Sequence, residues 1–244
     1  VTKYDPRHGG KVIDLKYAVT WSERLQNYGP REIMGFKPGD PLQILAVEYV
    51  LDPEINVLVL DGKPGTGKTR LMISTALYLY TMNHSRLENK IDAEKLYEKL
   101  NIQAPSIDSI ILIRPEYSSS DFEVGLVPGD ASEKISPWLM PYSQQLKRLE
   151  RLTRAHLGEA ADLKSNFMEC WTTALLRGMN IGKGIALIDE VQNGNRHFAK
   201  TLMSRFEDSA TGIIAGCTHQ IDNKYVSFKS NALSLIKETY KGKG

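Results

Sequence analysis

Residues 62–69 run Gly62-Lys63-Pro64-Gly65-Thr66-Gly67-Lys68-Thr69, a complete G-x-x-x-x-G-K-[ST] pattern. These residue types suit the cradling of an anion. Glycines let the backbone curl until several N–H groups face one centre, and a helix starting at Lys68 adds its positive end. In such a loop the lysine reaches the β- and γ-phosphates of a nucleoside triphosphate, and the Thr69 hydroxyl ligates Mg²⁺. Arg70 follows directly and extends the candidate nucleotide contact to Gly62–Arg70. The plain alternative is a glycine-rich turn, but a full match behind an apolar strand pattern is far more specific than that.

A second run, Ile185-Ala186-Leu187-Ile188-Asp189-Glu190, places two carboxylates after four apolar residues. A phosphate loop needs a metal-holding acid at the end of another strand. Asp189 is the candidate for that role, through the metal's water shell. Glu190 is the candidate for orienting and deprotonating an attacking water. Two acids can also simply cap a following helix, yet their partnership with the glycine loop favours chemistry. The glutamate points to hydrolysis rather than to phosphate transfer onto a small molecule.

Both runs need strands to carry them. Ile55–Leu60 is short, apolar and rich in β-branched residues, as a strand buried on both faces of a parallel sheet would be. Ser109–Ile113, Ile185–Ile188 and Gly212–Ala215 are the other candidates. Helical spacing occupies Pro41–Leu51, Lys68–Thr81, Asn195–Phe206 and Phe228–Tyr240. Strands alternating with helices predict an α/β fold with a parallel sheet flanked by helices, a single P-loop core. Residues 1–40 are expected to be an irregular extension, and residues 41–244 the domain. The Pro115–Pro141 stretch is long and rich in Pro, Gly and Ser, and loops of that length in compact domains are usually functional or mobile.

Composition limits the remaining choices. The chain has 244 residues, 41% hydrophobic, enough for one sizeable core. A net charge of +2 gives no general pull towards nucleic acid or membrane. The two cysteines, Cys170 and Cys217, match no metal spacing and fit a reduced, cytoplasmic protein. No apolar run reaches the ~20 residues of a membrane span.

The motifs together resemble the PhoH family of P-loop ATPases, whose core is related to superfamily 1 helicases and is RecA-like. Asp189-Glu190-Val191-Gln192-Asn193 is similar to the family's D-E-A-Q-N. Arg114-Pro115, then Gly125-Leu126-Val127-Pro128-Gly129-Asp130, Glu133-Lys134 and Pro137-Trp138 resemble its R-P, G-[FY]-L-P-G and E-K-x-x-P-[YW] run. Arg177-Gly178, Ser204-Arg205 and the Gly39–Leu45 stretch with Gln43 add further matches, spanning about residues 34 to 223. The nearest flavour is the branch that often carries a PIN nuclease domain, which residues 1–33 are too few to build.

The resemblance implies roles residue by residue. Gln43 would read the adenine edge. Arg114, Arg177 and Arg205 would contact the γ-phosphate, in cis or from a neighbouring subunit, with Arg205 favoured as the trans finger. Gln220 would sense the γ-phosphate. The implied catalytic set is thus Lys68, Glu190, Arg205 and Gln220. Implied cofactors are ATP and Mg²⁺, the latter held by Thr69 and Asp189. Implied partners are single-stranded RNA and copies of the same chain, as a hexameric ring. Two departures stand out: Cys217 replaces the aspartate of the family's G-D-x-x-Q, and the later R-S-x-L-V motif is absent. From the residues alone, RNA has only Lys147, Arg148, Arg151 and Arg154 beside Trp138 and Tyr142, a cluster that a solvated helix face explains as well. The leading expectation is an RNA-directed ATPase or helicase. The alternative is a nucleotide-switched protein-interaction module with little turnover.

Overall fold

The computed structural model describes residues 3–5, 11–13, 33, 36–51, 55–84, 107–115 and 168–241. The Pro115–Pro141 loop beyond Pro115 and the Lys147–Arg154 cluster lie outside the described residues.

Within the stretch expected to be irregular, β1 (Lys3–Asp5) and β2 (Lys11–Ile13) pair antiparallel. The main sheet consists of β3 (Val57–Asp61), β4 (Ser109–Ile113), β5 (Met168–Trp171), β6 (Gly184–Ile188) and β7 (Thr211–Gly216). Its five strands are all parallel, in the order β3-β7-β6-β4-β5. The helices are α1 (Pro41–Leu51), α2 (Lys68–His84), α3 (Thr173–Gly178), α4 (Arg196–Met203) and α5 (Ala232–Tyr240). This is the expected α/β P-loop architecture.

Strand alternation divides the core in two. Ile110, Leu112, Ile185, Leu187, Ile213 and Ala215 face one side, against α1 and α2. Ile111, Ile113, Ala186, Ile188 and Ile214 face the other, against α3, α4 and α5. Successive residues pointing to opposite faces, with both faces covered, explain why these strands are almost continuously apolar. The interior strands β6 and β7 are buried throughout. By contrast β3, expected to be buried on both faces, is a half-buried edge strand that starts at Val57.

Besides β1 and β2, a strand and a helix of the main fold escaped the sequence reading. Strand β5 is the opposite edge, and its Met-Glu-Cys-Trp carries a glutamate mid-run. Glu169 accepts a 2.9 Å bond from the Trp171 indole N–H, which gives the acid a partner on the strand. Helix α3 has six residues, too few to show a helical period. Helix α5 also begins later than expected. Asn231 caps it by accepting from the Ser234 N–H at 2.9 Å, so the chain from Ser227 to Ser230 is turn rather than helix.

Candidate functional site

Parallel pairing brings the carboxyl ends of β3, β7, β6 and β4 to one edge of the sheet. At β3 this end leads into the glycine loop, and at β6 into Asp189 and Glu190, with β7 between them. Ligand sites in open α/β sheets form at that edge.

Gly65 and Gly67 have φ of +76° and +82°, a conformation that side chains disfavour. The curled loop is tied internally. Thr66 Oγ1 donates to the Lys63 carbonyl at 2.9 Å, and Lys68 Nζ donates to the carbonyls of Gly62 at 2.7 Å and Lys63 at 3.0 Å. Gly62 N–H donates to the Gly216 carbonyl at 3.1 Å, fastening the loop to the end of β7. Lys63, Pro64, Gly65 and Thr66 are exposed, so the concave side of the loop is open.

Thr69 Oγ1 donates to Asp189 Oδ2 at 2.8 Å across 120 positions of sequence. The loop threonine and the strand-end acid thus form one polar centre, with Asp189 buried at 6% exposure. Asp189 Oδ1 also accepts the Glu190 N–H at 3.0 Å. Glu190 has φ 56°, the one non-glycine residue with positive φ among those described. An L-residue held there costs about 1 kcal/mol or more, and such strain persists only where neighbours enforce it.

Two residues that the sequence reading left without a role tie this turn to its surroundings. Gln192 is fully buried. Its Nε2 donates to Glu190 Oε2 at 2.6 Å and to the Gln220 carbonyl at 2.9 Å, while its Oε1 accepts the Cys217 N–H at 3.0 Å. Asn193, also fully buried, accepts at Oδ1 from the N–H groups of Asp222 (2.8 Å) and Asn223 (3.2 Å). The signal was their place inside the Asp-Glu-Val-Gln-Asn run, polar residues where a buried turn needs partners. Asp61, the last residue of β3, was missed as well. Its carboxylate accepts from the Thr218 N–H at 3.2 Å and from Lys237 Nζ of α5. Partial burial opposes its ionisation, but the bonds from Lys237 and Thr218 outweigh that and hold its carboxyl below the ordinary value.

The remaining candidates divide by place. Gln43, in the first turn of α1, meets the loop: its Nε2 donates to the Thr66 carbonyl at 3.0 Å and its Oε1 accepts the Gly39 N–H at 2.7 Å. Arg70 is half-buried in α2, with its guanidinium 5.8 Å from the Phe36 ring centre. Arg114 directly follows β4, next to Asp189, whose N–H donates to the Ile113 carbonyl at 3.2 Å. Gln220 is exposed and joins the acid turn through its backbone carbonyl. Arg177 is exposed in the last turn of α3. Arg205 is not brought to this edge. Its carbonyl accepts the Ile181 N–H at 2.8 Å, ahead of the start of β6, whereas Asp189 follows the end of that strand. The strand between them spans roughly 17 Å, so Arg205 sits at the opposite edge of the sheet.

Comparison with known proteins gives the family. Residues 100–244, more than half of the chain, match the family described as PhoH-like protein. The chain is 28% identical over 217 residues to protein PhoH2 of Bacillus subtilis (strain 168), covering 88% of this chain and 44% of that protein. It is 25% identical over 214 residues to protein PhoH2 of Mycolicibacterium smegmatis, covering 88% and 43%. A second Bacillus subtilis relative, a PhoH-like protein, is 28% identical over 202 residues, covering 80% and 52%. The chain therefore spans about half the length of the curated relatives it matches. No helix among the described residues is long and apolar enough to cross a membrane. On its sheet, its acid turn and this match, the chain belongs to the PhoH-like protein family.

Proposed function

We propose that this protein binds Mg·ATP at the glycine loop and hydrolyses it, working as an oligomer on single-stranded RNA. The observation that carries the reading is the 2.8 Å bond from Thr69 to Asp189, with Glu190 beside it and Lys68 inside the loop. A hydroxyl and a carboxylate at that separation suit a hard divalent cation that keeps several of its waters. Thr69 and Asp189 would hold Mg²⁺, which when bound would draw charge from the phosphate oxygens. Lys68 would exchange its bonds to the Gly62 and Lys63 carbonyls for phosphate oxygens. Gln43, which lies against Thr66, would read the adenine edge. Glu190, its carboxylate fixed by Gln192, would take the proton of the attacking water. Arg114, which follows β4, would contact the γ-phosphate of its own site. Arg205, at the far edge, would serve a neighbour's, and an arginine supplied in trans needs an oligomer.

The test is steady-state ATP turnover with and without single-stranded RNA. The reading predicts turnover that rises several-fold with RNA. Tight ATP binding with no turnover in either condition would favour a nucleotide-switched interaction module instead.

A further inference from the structure

Among the described residues, Tyr225 is the most open of the exposed large apolar side chains at 77%, and Phe228 follows at 54%. Both stand on the segment after β7, and their backbone is held firmly. Asn223 N–H and Nδ2 bond to Asn193, Asn223 Oδ1 accepts the Tyr225 N–H at 3.0 Å, and Asn231 Nδ2 donates to the carbonyls of Ser227 (2.9 Å) and Phe228 (2.7 Å). Rings presented on a pinned backbone lose little freedom when something stacks on them. Basic groups interleave with them: Lys224 Nζ lies 5.4 Å from the Tyr225 ring centre, and Lys229 follows Phe228. The His219 ring stacks on Phe228 at 5.7 Å between centres. Stacking faces alternating with ammonium groups suit a strand of bases and phosphates. A protein-binding core would instead be depleted of lysine.

This segment is also the one bonded to the acid turn. Gln192 grips it at the Cys217 N–H and the Gln220 carbonyl while donating to Glu190. Because the link uses the N–H of Cys217 and not its side chain, cysteine in place of the aspartate leaves it intact. We propose that Lys224, Tyr225, Phe228 and Lys229 form a contact surface for single-stranded nucleic acid, and that Gln192 is the positioning residue that carries its occupancy to Glu190. The proposal rests on the hydrolytic reading above for its second part and stands apart from it for its first.

The experiment uses fluorescein-labelled oligouridylate and oligothymidylate 20-mers, read by anisotropy, with ATP turnover followed in parallel. Tyr225→Ala/Phe228→Ala is expected to weaken binding about tenfold or more, with a thermal midpoint within ~2 °C of the parent. Preference for oligouridylate would assign RNA, and equal binding any single strand. Unchanged binding in the double variant would overturn the surface. So would dissociation of the parent's oligomer with oligonucleotide affinity intact, which would make the patch a contact between copies. Gln192→Met and Gln192→Glu are expected to keep oligonucleotide affinity within about twofold and KM for ATP within about threefold, yet lose most of the stimulation of kcat. Stimulation retained in both would overturn the relay. A parent that binds the oligomers without turning over ATP would remove the relay and the hydrolytic reading while leaving the surface supported.

Discussion

Glu190 combines a left-handed backbone, a carboxylate bonded to a buried amide and an N–H bonded to the neighbouring acid. Three constraints on one residue hold it in place before any ligand arrives, the preorganisation that the proposed base would use. The neighbouring acid is held as specifically, since the Thr69 hydroxyl donates to Asp189. Thr69→Ala is therefore expected to raise the Mg²⁺ concentration for half-maximal ATP turnover about tenfold or more, read in a magnesium titration at fixed ATP. An unchanged titration would remove Thr69 from the proposed metal site. The sequence exposed both residues because their spacing follows strand-end chemistry. Gln192 and Asn193 were visible only as letters of a motif, because their bonds go to the Cys217–Asn223 backbone, some 25 to 30 positions on. Spacing within a run does not encode such a partner.

At the scale of elements, the site depends on how β3, β7 and α5 are fastened. A methyl at Gly216 would overlap Gln192 Oε1 and the Leu233 side chain, so only glycine lets β7 pass beneath the acid turn. Gly216→Ala is expected to destabilise the fold by about 1–3 kcal/mol in chemical denaturation, the usual cost of overpacking. The Asp61–Lys237 pair joins the strand before the loop to α5. Asp61 has a depressed folded-state pKa, so its contribution is complete above the ordinary carboxylate range and is lost as pH falls through the folded value. Lys237 is substantially exposed, which limits the pair to about 0.5 kcal/mol. Lys237→Met should thus lower the thermal midpoint slightly at pH 7 and not at all at strongly acid pH. A constant difference across pH would mean that the ion pair is not the cause. The interior strands were legible because burial on both faces leaves apolar runs, and α1 was legible from its spacing. The edge strand β5 was not, because an edge tolerates Glu169 and shortens the apolar run.

For the whole molecule, the placement of Arg205 bears on the proposed oligomer. It lies at the edge of the sheet away from Lys68 and Asp189, so any contact it makes with a phosphate is with another copy. Arg205→Ala is expected to lower turnover at least tenfold. Mixing it with Lys68→Ala subunits, themselves inactive, should restore part of the activity, because each Lys68→Ala subunit offers its Arg205 to an intact loop. A mixture no more active than its parts would separate Arg205 from catalysis in trans. The sequence carried the family and the parallel sheet, but no spacing rule says on which edge of a sheet a helix-end arginine falls. The measurement that bears most directly on the central claim is phosphate release from Mg·ATP by the parent and by Glu190→Gln, with ATP affinity measured on both. The account predicts unchanged affinity within about threefold and a loss of turnover of at least a hundredfold. A Glu190→Gln protein that turns over ATP like the parent would contradict it.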